Sequence, residues 1–150
     1  MSEIPGTRKS HILVVEDNPA DVGLLRLALK AAQVECDLTV LEDGAEALAF
    51  VRHRQNPGDF VPHLIVLDLN LPKNGGLEVL EAIRANPAFS GMAVAILSSS
   101  SSPRERARIE EFGVDRFITK PLDLDGFLGI GAILKTLLGQ ARTGKSAPAI

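Results

Sequence analysis

Short apolar segments alternate with helix-like segments five times along this chain of 150 residues. The segments His11–Val15, His63–Leu67 and Ala93–Leu97 are almost continuously apolar, which is typical of central parallel strands covered on both faces. Strands that alternate with helices form right-handed strand–helix–strand units. The pattern therefore predicts an α/β fold, in which a doubly wound, five-stranded parallel sheet has the flavodoxin-like strand order 2-1-3-4-5.

The other predicted elements complete five strand–helix units within one domain. Asn18 and Ser102 stand where helix N-caps are expected, each directly before a proline. The ends, 1–10 and 139–150, are polar and contain glycine and proline, so we expect both to be flexible and residues 11–138 to form the domain. The predicted strands are His11–Val15, Asp37–Leu41, His63–Leu67, Ala93–Leu97 and Arg116–Ile118, and the predicted helices are Pro19–Ala32, Ala45–His53, Leu77–Ala85, Pro103–Phe112 and Leu124–Leu138.

Charge and composition exclude several classes of function. The formal net charge is -3 and no run of lysine and arginine stands out, so we expect neither a nucleic acid nor a membrane as a partner. No apolar stretch approaches the roughly 20 residues that span a bilayer, and the first ten residues lack the apolar centre of a signal peptide. A single cysteine, Cys36, cannot form an internal disulfide. These features together predict a cytoplasmic protein.

Acidic side chains follow two strands that are neighbours in the predicted sheet. Glu16 and Asp17 come directly after the first strand, and Asp68 comes directly after the third. Ligands of open α/β sheets bind at the carboxyl ends of the strands, where the strand order reverses, and in the order 2-1-3-4-5 that point lies between these two strands. Three neighbouring carboxylates repel one another unless a cation balances them, and Mg²⁺ prefers such oxygen ligands. We therefore expect a magnesium site, with the backbone carbonyl of Asn70 available to complete it.

Two further strand ends carry complementary chemistry. Lys120 follows the fifth strand, and Ser98 ends the fourth. The lysine ammonium is expected to pair with Asp68 when the site is empty and with a phosphoryl oxygen when it is filled. The serine hydroxyl is expected at the same edge of the sheet, so the sequence indicates a metal site that also accepts a phosphoryl group.

Four stretches form a joint signature with characteristic spacing. They are Val15-Glu16-Asp17-Asn18, Leu67 to Pro72 followed by Gly75-Gly76, Leu97-Ser98-Ser99, and Phe117 to Pro121. On these stretches the sequence from about Ser10 to Leu138 resembles the receiver domains of two-component response regulators. The resemblance implies that Asp68 is the phosphoacceptor, attacking a phosphohistidine of a sensor histidine kinase, and that Glu16, Asp17, Asp68 and the Asn70 carbonyl hold Mg²⁺.

The resemblance also implies a conformational switch. Lys120 and Ser98 would bind the phosphoryl oxygens, and Phe117 would move into the space that Ser98 vacates. The Lys120–Pro121 bond would be cis. Two positions depart from the common family pattern, because Glu16 stands where many receivers have aspartate and Phe117 lacks the hydroxyl of a tyrosine.

The same resemblance gives expectations about organisation and partners. No output domain follows the fifth helix, so we expect a stand-alone receiver that is a phosphoacceptor signalling protein rather than an enzyme. The stretch Val15–Leu29 and the loop Gln55–Val61 are similar to the small response regulators of phytochrome-type sensor kinases. The fifth helix is apolar over more than half of its circumference, which favours a homodimer through helix 4, strand 5 and helix 5. Gly129 and Gly131 on this helix would permit the close approach of another backbone.

Two other functions remain open on the sequence. A phosphatase of the haloacid-dehalogenase type also uses a strand-end aspartate and Mg²⁺, but it carries a second aspartate two residues later, where this chain has Asn70. A flavodoxin-like carrier of FMN would use Ser98–Ser102 as a phosphate loop, and the absence of tryptophan and tyrosine argues against it.

Overall fold

The computed structural model describes residues 9–56, 58–71, 75–99 and 102–143, of which 141–143 are described by their backbone alone. Its sheet has five parallel strands in the order β2-β1-β3-β4-β5, which confirms the predicted fold. The strands are β1 (Ser10–Val15), β2 (Cys36–Leu41), β3 (Leu64–Asp68), β4 (Ala93–Ser98) and β5 (Arg116–Thr119), the helices are α1 (Pro19–Ala31), α2 (Gly44–Arg52), α3 (Gly76–Ala85), α4 (Pro103–Glu110) and α5 (Leu124–Thr143), and a short 3-10 helix covers Pro87–Phe89.

The sheet is covered by helices on both faces, which is why its central strands are continuously apolar. Alternate residues of β1 and β3 point to opposite sides, and each side has its own core. One core contains Leu13, Ile65, Leu48, Leu80 and Phe89, and the other contains Val14, Val66, Leu25, Leu29, Phe127 and Leu134.

Helix caps determine where the polypeptide turns away from the sheet. The side chain of Asn18 accepts a hydrogen bond of 2.9 Å from the N–H of Ala20, and that of Ser102 accepts one of 3.0 Å from the N–H of Glu105. Both residues are the N-caps that the sequence predicts. Because each cap follows shortly after the carboxyl end of a strand, it starts its helix beside the edge of the sheet where the polar side chains lie.

The apolar surface of α5 is largely buried within the chain. Phe127, Ile130, Leu134, Leu137 and Leu138 are all buried in the core that α5 shares with α1. The surplus of apolar residues that the sequence suggested for a partner is therefore mostly used inside one copy. Leu124 stays exposed, at 54% of its surface, at the start of the helix.

Three details of the predicted structure change. The helix α5 continues to Thr143, five residues beyond its predicted end at Leu138, while the rest of the predicted tail lies outside the described residues. A Cβ on Gly131 would overlap the carbonyl oxygen of Ala28, so the backbone that approaches this glycine closely belongs to α1. The predicted cis Lys120–Pro121 bond is wrong, because the described residues contain no cis peptide; trans is the lower-energy isomer of an X–Pro bond. Among the described residues, no helix combines the length and apolar character that crossing a membrane requires.

Candidate functional site

The carboxyl ends of β1, β3, β4 and β5 meet at one edge of the sheet and bring the predicted polar side chains together. Val15 of β1 pairs with Leu67 of β3, so the next residues, Glu16 and Asp68, are neighbours. The backbone N–H of Lys120 donates a hydrogen bond of 2.7 Å to the carbonyl oxygen of Ser98, which joins the ends of β4 and β5. The parallel register thus places these four residues around one crevice.

Three carboxylates in this crevice have the geometry of a cation site. Each of Glu16, Asp17 and Asp68 offers an oxygen, and these oxygens lie within 4.8 Å of one another. Glu16 and Asp68 are buried, with 3% and 4% of their surface exposed, whereas Asp17 is exposed. Buried carboxylates without a balancing cation are costly, and a hard divalent ion binds oxygen ligands such as these. The donor set therefore fits Mg²⁺ or a similar ion.

The Oε1 atom of Glu16 is a buried oxygen without a hydrogen bond among the described residues. The ammonium of Lys120 lies 2.9 Å from it and forms a salt bridge with it. The other oxygen, Oε2, accepts a hydrogen bond of 3.1 Å from the N–H of Asn18. One side of this carboxylate is thus held by the backbone, and the other side is available to a cation.

Burial raises the pKa of Glu16 from 4.5 to about 7. The ammonium of Lys120 opposes this increase, and the negative charge of Asp68 adds to it. Bringing a divalent cation to the site would favour the charged carboxylate, because the cation replaces the water that burial removes.

Lys120 is the cation at the centre of this acidic cluster. Its Nζ atom donates hydrogen bonds of 2.7 Å to Oδ2 of Asp21 and 3.1 Å to Oδ2 of Asp68. Burial lowers the pKa of this lysine, but the three carboxylates around it, Asp21, Glu16 and Asp68, more than compensate and raise the pKa above its ordinary value. The ammonium therefore stays charged at neutral pH.

The contact of Asp21 with Lys120 is one that the sequence prediction missed. It stands in the first turn of α1, where an acidic residue is expected simply to stabilise the helix N-terminus. Its side chain nevertheless turns toward the sheet and makes the shortest of the three contacts with Lys120. The available signal was its position in the first turn of the helix that follows the acidic end of β1.

Asp68 is oriented from two directions. Its Oδ1 atom accepts a hydrogen bond of 2.8 Å from the backbone N–H of Asn70, and its Oδ2 atom accepts the one from Lys120. The backbone behind it is tightly packed, since a Cβ on Gly76 would lie 2.8 Å from the carbonyl oxygen of Asp68. Both oxygens of the side chain are therefore held in place at the end of β3.

Ser98 and Asn70 lie beside Asp68 at the ends of their strands. The side-chain amide of Asn70 donates a long hydrogen bond of 3.4 Å to the Ser98 hydroxyl, a contact that the sequence did not suggest. Ser98 is buried, with 1% of its surface exposed. The role of the Asn70 carbonyl as a metal ligand stays a prediction.

Phe117 lies one step further from the crevice. It pairs with Ile96 on β4, two residues before Ser98, and its half-buried ring packs on the core below α4. The guanidinium of Arg106, on α4, covers the ring with its carbon 4.4 Å from the ring centre. A movement of this ring would therefore be felt directly by α4.

Comparisons with known proteins agree on one family. Residues 12–129 match the family described as the response regulator receiver domain. Response regulator Rcp1 from Synechocystis is 38% identical over 117 residues, which are 75% of this chain and 78% of that protein.

Two solved structures are similar as well. The phosphorylated cyanobacterial phytochrome response regulator RcpA is 33% identical, with a TM-score of 0.78 over 89% of this chain and 96% of that one. The Mn²⁺-bound form of Rcp1 is 31% identical, with a TM-score of 0.70 over 94% of this chain and 99% of that one. In both, the likeness extends over almost the whole of each chain.

Proposed function

Because the chain belongs to the response regulator receiver family, a family of two-component signalling proteins rather than of classical enzymes, we propose that it accepts a phosphoryl group on Asp68 from a sensor histidine kinase in the cytoplasm. The observation that carries the proposal is the position of this carboxylate. It lies at a strand end, next to two further acids and in hydrogen-bond contact with a lysine. No other described aspartate combines a metal cluster with such a contact.

In the proposed reaction an Asp68 oxygen attacks the phosphorus of a phosphohistidine. The new bond joins that oxygen to phosphorus, the phosphorus–nitrogen bond breaks, and its electron pair stays with the imidazole, which takes up a proton. Lys120 and the backbone N–H of Asn70 already contact the two oxygens of the carboxylate, and they orient it for the attack. The lysine then balances charge on the transferred group.

We propose Mg²⁺ as the metal, held by Glu16, Asp17, Asp68 and the Asn70 carbonyl. The ion, when bound, neutralises charge that builds up on the oxygens during transfer. The burial of Glu16 and Asp68 beside Asp17 supports this assignment, because one oxygen of each of the three carboxylates lies within 4.8 Å of the others. The relative Rcp1 binds Mn²⁺ in its solved structure, which is the same type of ion.

A switch between two packings of Ser98 and Phe117 is proposed to carry the signal. Once the Ser98 hydroxyl moves to a phosphoryl oxygen, its bond with Asn70 is lost and space opens near the end of β4. Phe117 lies on the neighbouring strand and contacts Arg106, so a shift of the ring changes the surface of α4. A binding partner that prefers one surface would then read the phosphorylation state.

We propose a kinase of the phytochrome type as the partner, since RcpA is a phytochrome response regulator. A pocket beside Lys120 is lined by Asp21, Leu24, Pro121 and Phe127, and exposed Leu122 stands at its rim.

A homodimer through α4, β5 and α5 is also proposed. Exposed Leu124 supports it, whereas the rest of α5 supports it less than the sequence suggested. Sedimentation at micromolar concentration, with and without phosphorylation, tests it, and monomer in both states contradicts it.

Intact-mass measurement after incubation with acetyl phosphate and Mg²⁺ tests the phosphoacceptor. The wild-type chain should gain one phosphoryl group, whereas Asp68→Asn should gain none, because an amide lacks the nucleophilic oxygen. Asp125→Asn, an exposed aspartate in the first turn of α5, serves as a matched control that should be labelled like the wild type. Equal labelling of Asp68→Asn and the wild type contradicts the assignment.

A further inference from the structure

Asp21 makes the shortest contact with Lys120 although it stands outside the three-carboxylate cluster that fits a metal. We propose that Asp21 is a positioning residue for Lys120, which keeps the lysine from occupying the metal-ligand oxygen of Glu16 and so increases the affinity of the site for Mg²⁺. The proposal deepens the proposed function and rests on it, since it concerns the same cation site.

The hydrogen bonds around Lys120 are the first part of the argument. Two N–H groups of the ammonium are directed at Asp21 and Asp68, at 2.7 and 3.1 Å. The Oε1 atom of Glu16 is 2.9 Å from the same nitrogen and receives no hydrogen bond. The ammonium is therefore shared among three carboxylates, and its shortest contact, with Asp21, draws it away from the Glu16 oxygen.

Removing the charge of Asp21 changes which oxygen the ammonium prefers. An asparagine there attracts the lysine much less, because the interaction of two full charges is replaced by that of a charge with a dipole. The nearest remaining acceptor is Oε1 of Glu16, which is already within hydrogen-bond distance and needs only a rotation of the ammonium. Lys120 and Mg²⁺ would then compete for the same oxygens of Glu16 and Asp68.

The loss of one negative charge near the site acts in the same direction, since it weakens the attraction of Mg²⁺ through space. The competition for the carboxylate oxygens depends on Lys120, whereas the weaker attraction through space does not, so the two effects can be separated. Asp21→Asn in a Lys120→Met background keeps the effect through space and removes the competition. A double-mutant cycle therefore isolates the part that acts through the lysine.

Asp125 provides a matched control. It stands in the first turn of α5 as Asp21 stands in the first turn of α1, so replacing either by asparagine removes the same charge from a helix N-terminus. Asp125 is exposed, whereas Asp21 is half-buried against Lys120.

Calorimetric titration of the whole chain with MgCl₂ tests the proposal without any phosphotransfer. Asp21→Asn should bind Mg²⁺ about tenfold more weakly than the wild type, the lower end of the usual effect of removing a group that orders the surroundings of metal ligands. Asp125→Asn should stay within about twofold of the wild type, and Asp21→Asn should cost at most about threefold in the Lys120→Met background. Circular dichroism of each metal-free variant checks that it is folded.

Four results decide between the possibilities. Asp21→Asn with wild-type affinity overturns the proposal, and so does a loss of equal size in the presence and absence of Lys120. If Lys120→Met does not fold, equal losses of Mg²⁺ affinity in Asp21→Asn and Asp125→Asn still refute the proposal. A wild-type chain that binds no Mg²⁺ refutes the proposed metal site itself, which is a different result from a wild type that binds and an Asp21→Asn that binds equally well.

Discussion

Replacing Gly131 by alanine should destabilise the protein, whereas the same replacement at Gly129 should stabilise it. Both glycines lie inside α5. An alanine Cβ at Gly131 would overlap the carbonyl oxygen of Ala28 and lie 2.7 Å from its carbonyl carbon. A Cβ at Gly129 would have nothing within 4 Å.

The size of the difference follows from two opposing effects. Alanine is favoured over glycine by about 1 kcal/mol inside a helix, and this gain applies at both positions. At Gly131 the methyl group meets backbone atoms of α1, which cannot rotate away as a flexible side chain would. Forcing α1 and α5 apart should cost about 3 kcal/mol, at the upper end of the usual cost of overpacking. The net changes are then about 2 kcal/mol of destabilisation at Gly131 and about 1 kcal/mol of stabilisation at Gly129.

Urea unfolding followed by circular dichroism measures both changes, and thermal unfolding should show them as shifts of opposite sign. For a chain of this length about 1 kcal/mol corresponds to about 2–4 °C in Tm. The measurements should be repeated at several protein concentrations, so that any contribution from association is recognised. A Gly131→Ala variant as stable as the wild type would refute the close approach of α1 and α5, and with it the explanation of why this glycine is there.

Three further predictions concern the site and α4. Arg84→Met should lower the free energy of unfolding by about 1–3 kcal/mol, because the guanidinium donates to the carbonyl oxygens of Phe112 and Gly113 at 2.8 and 3.0 Å. It should also lower hydrogen-exchange protection at the end of α4, and unchanged protection contradicts this prediction. Lys120→Ala should still bind Mg²⁺ but fail to signal, and unchanged output from a partner assay counts against the lysine's role. In the metal-free protein, the pKa of Glu16 rises from 4.5 in the unfolded chain to about 7 in the folded one, so the contribution of this group to stability should be complete below pH 4.5 and be lost as the pH increases through 7. Glu16→Gln should remove most of that decline in thermal unfolding with EDTA, and an identical pH profile for both proteins excludes this cause.

The fold could be predicted because its signals are local. Continuous apolar strands, N-caps at Asn18 and Ser102 and the order of the elements all follow from short stretches of sequence, and the structure agrees with them to within a few residues. The end of α5 was the largest error. Gly139 marked a helix end in the sequence, yet the helix continues through it to Thr143.

The grouping of the acids was predictable for a related reason. In a parallel sheet the residue after each strand must lie at the same edge, so Glu16, Asp17 and Asp68 are brought together by topology alone. The place of Lys120 among them follows from the same rule. The order of the strands does not determine the direction of a side chain on a helix. The contact of Asp21 with Lys120 was therefore missed.

Taken by itself, the sequence determined the strand order, the two-sided core and which polar residues share one edge, because each depends on the period and order of residue types along the chain. Tertiary structure alone decided that the apolar residues of α5 are buried in the core shared with α1 and the sheet, that Gly131 lies against Ala28, and that Lys120 lies between Asp21, Glu16 and Asp68. The physical reason is that such contacts depend on how closely two distant segments approach and at what angle their atoms meet. Packing of the whole chain sets those distances, and no local pattern encodes them.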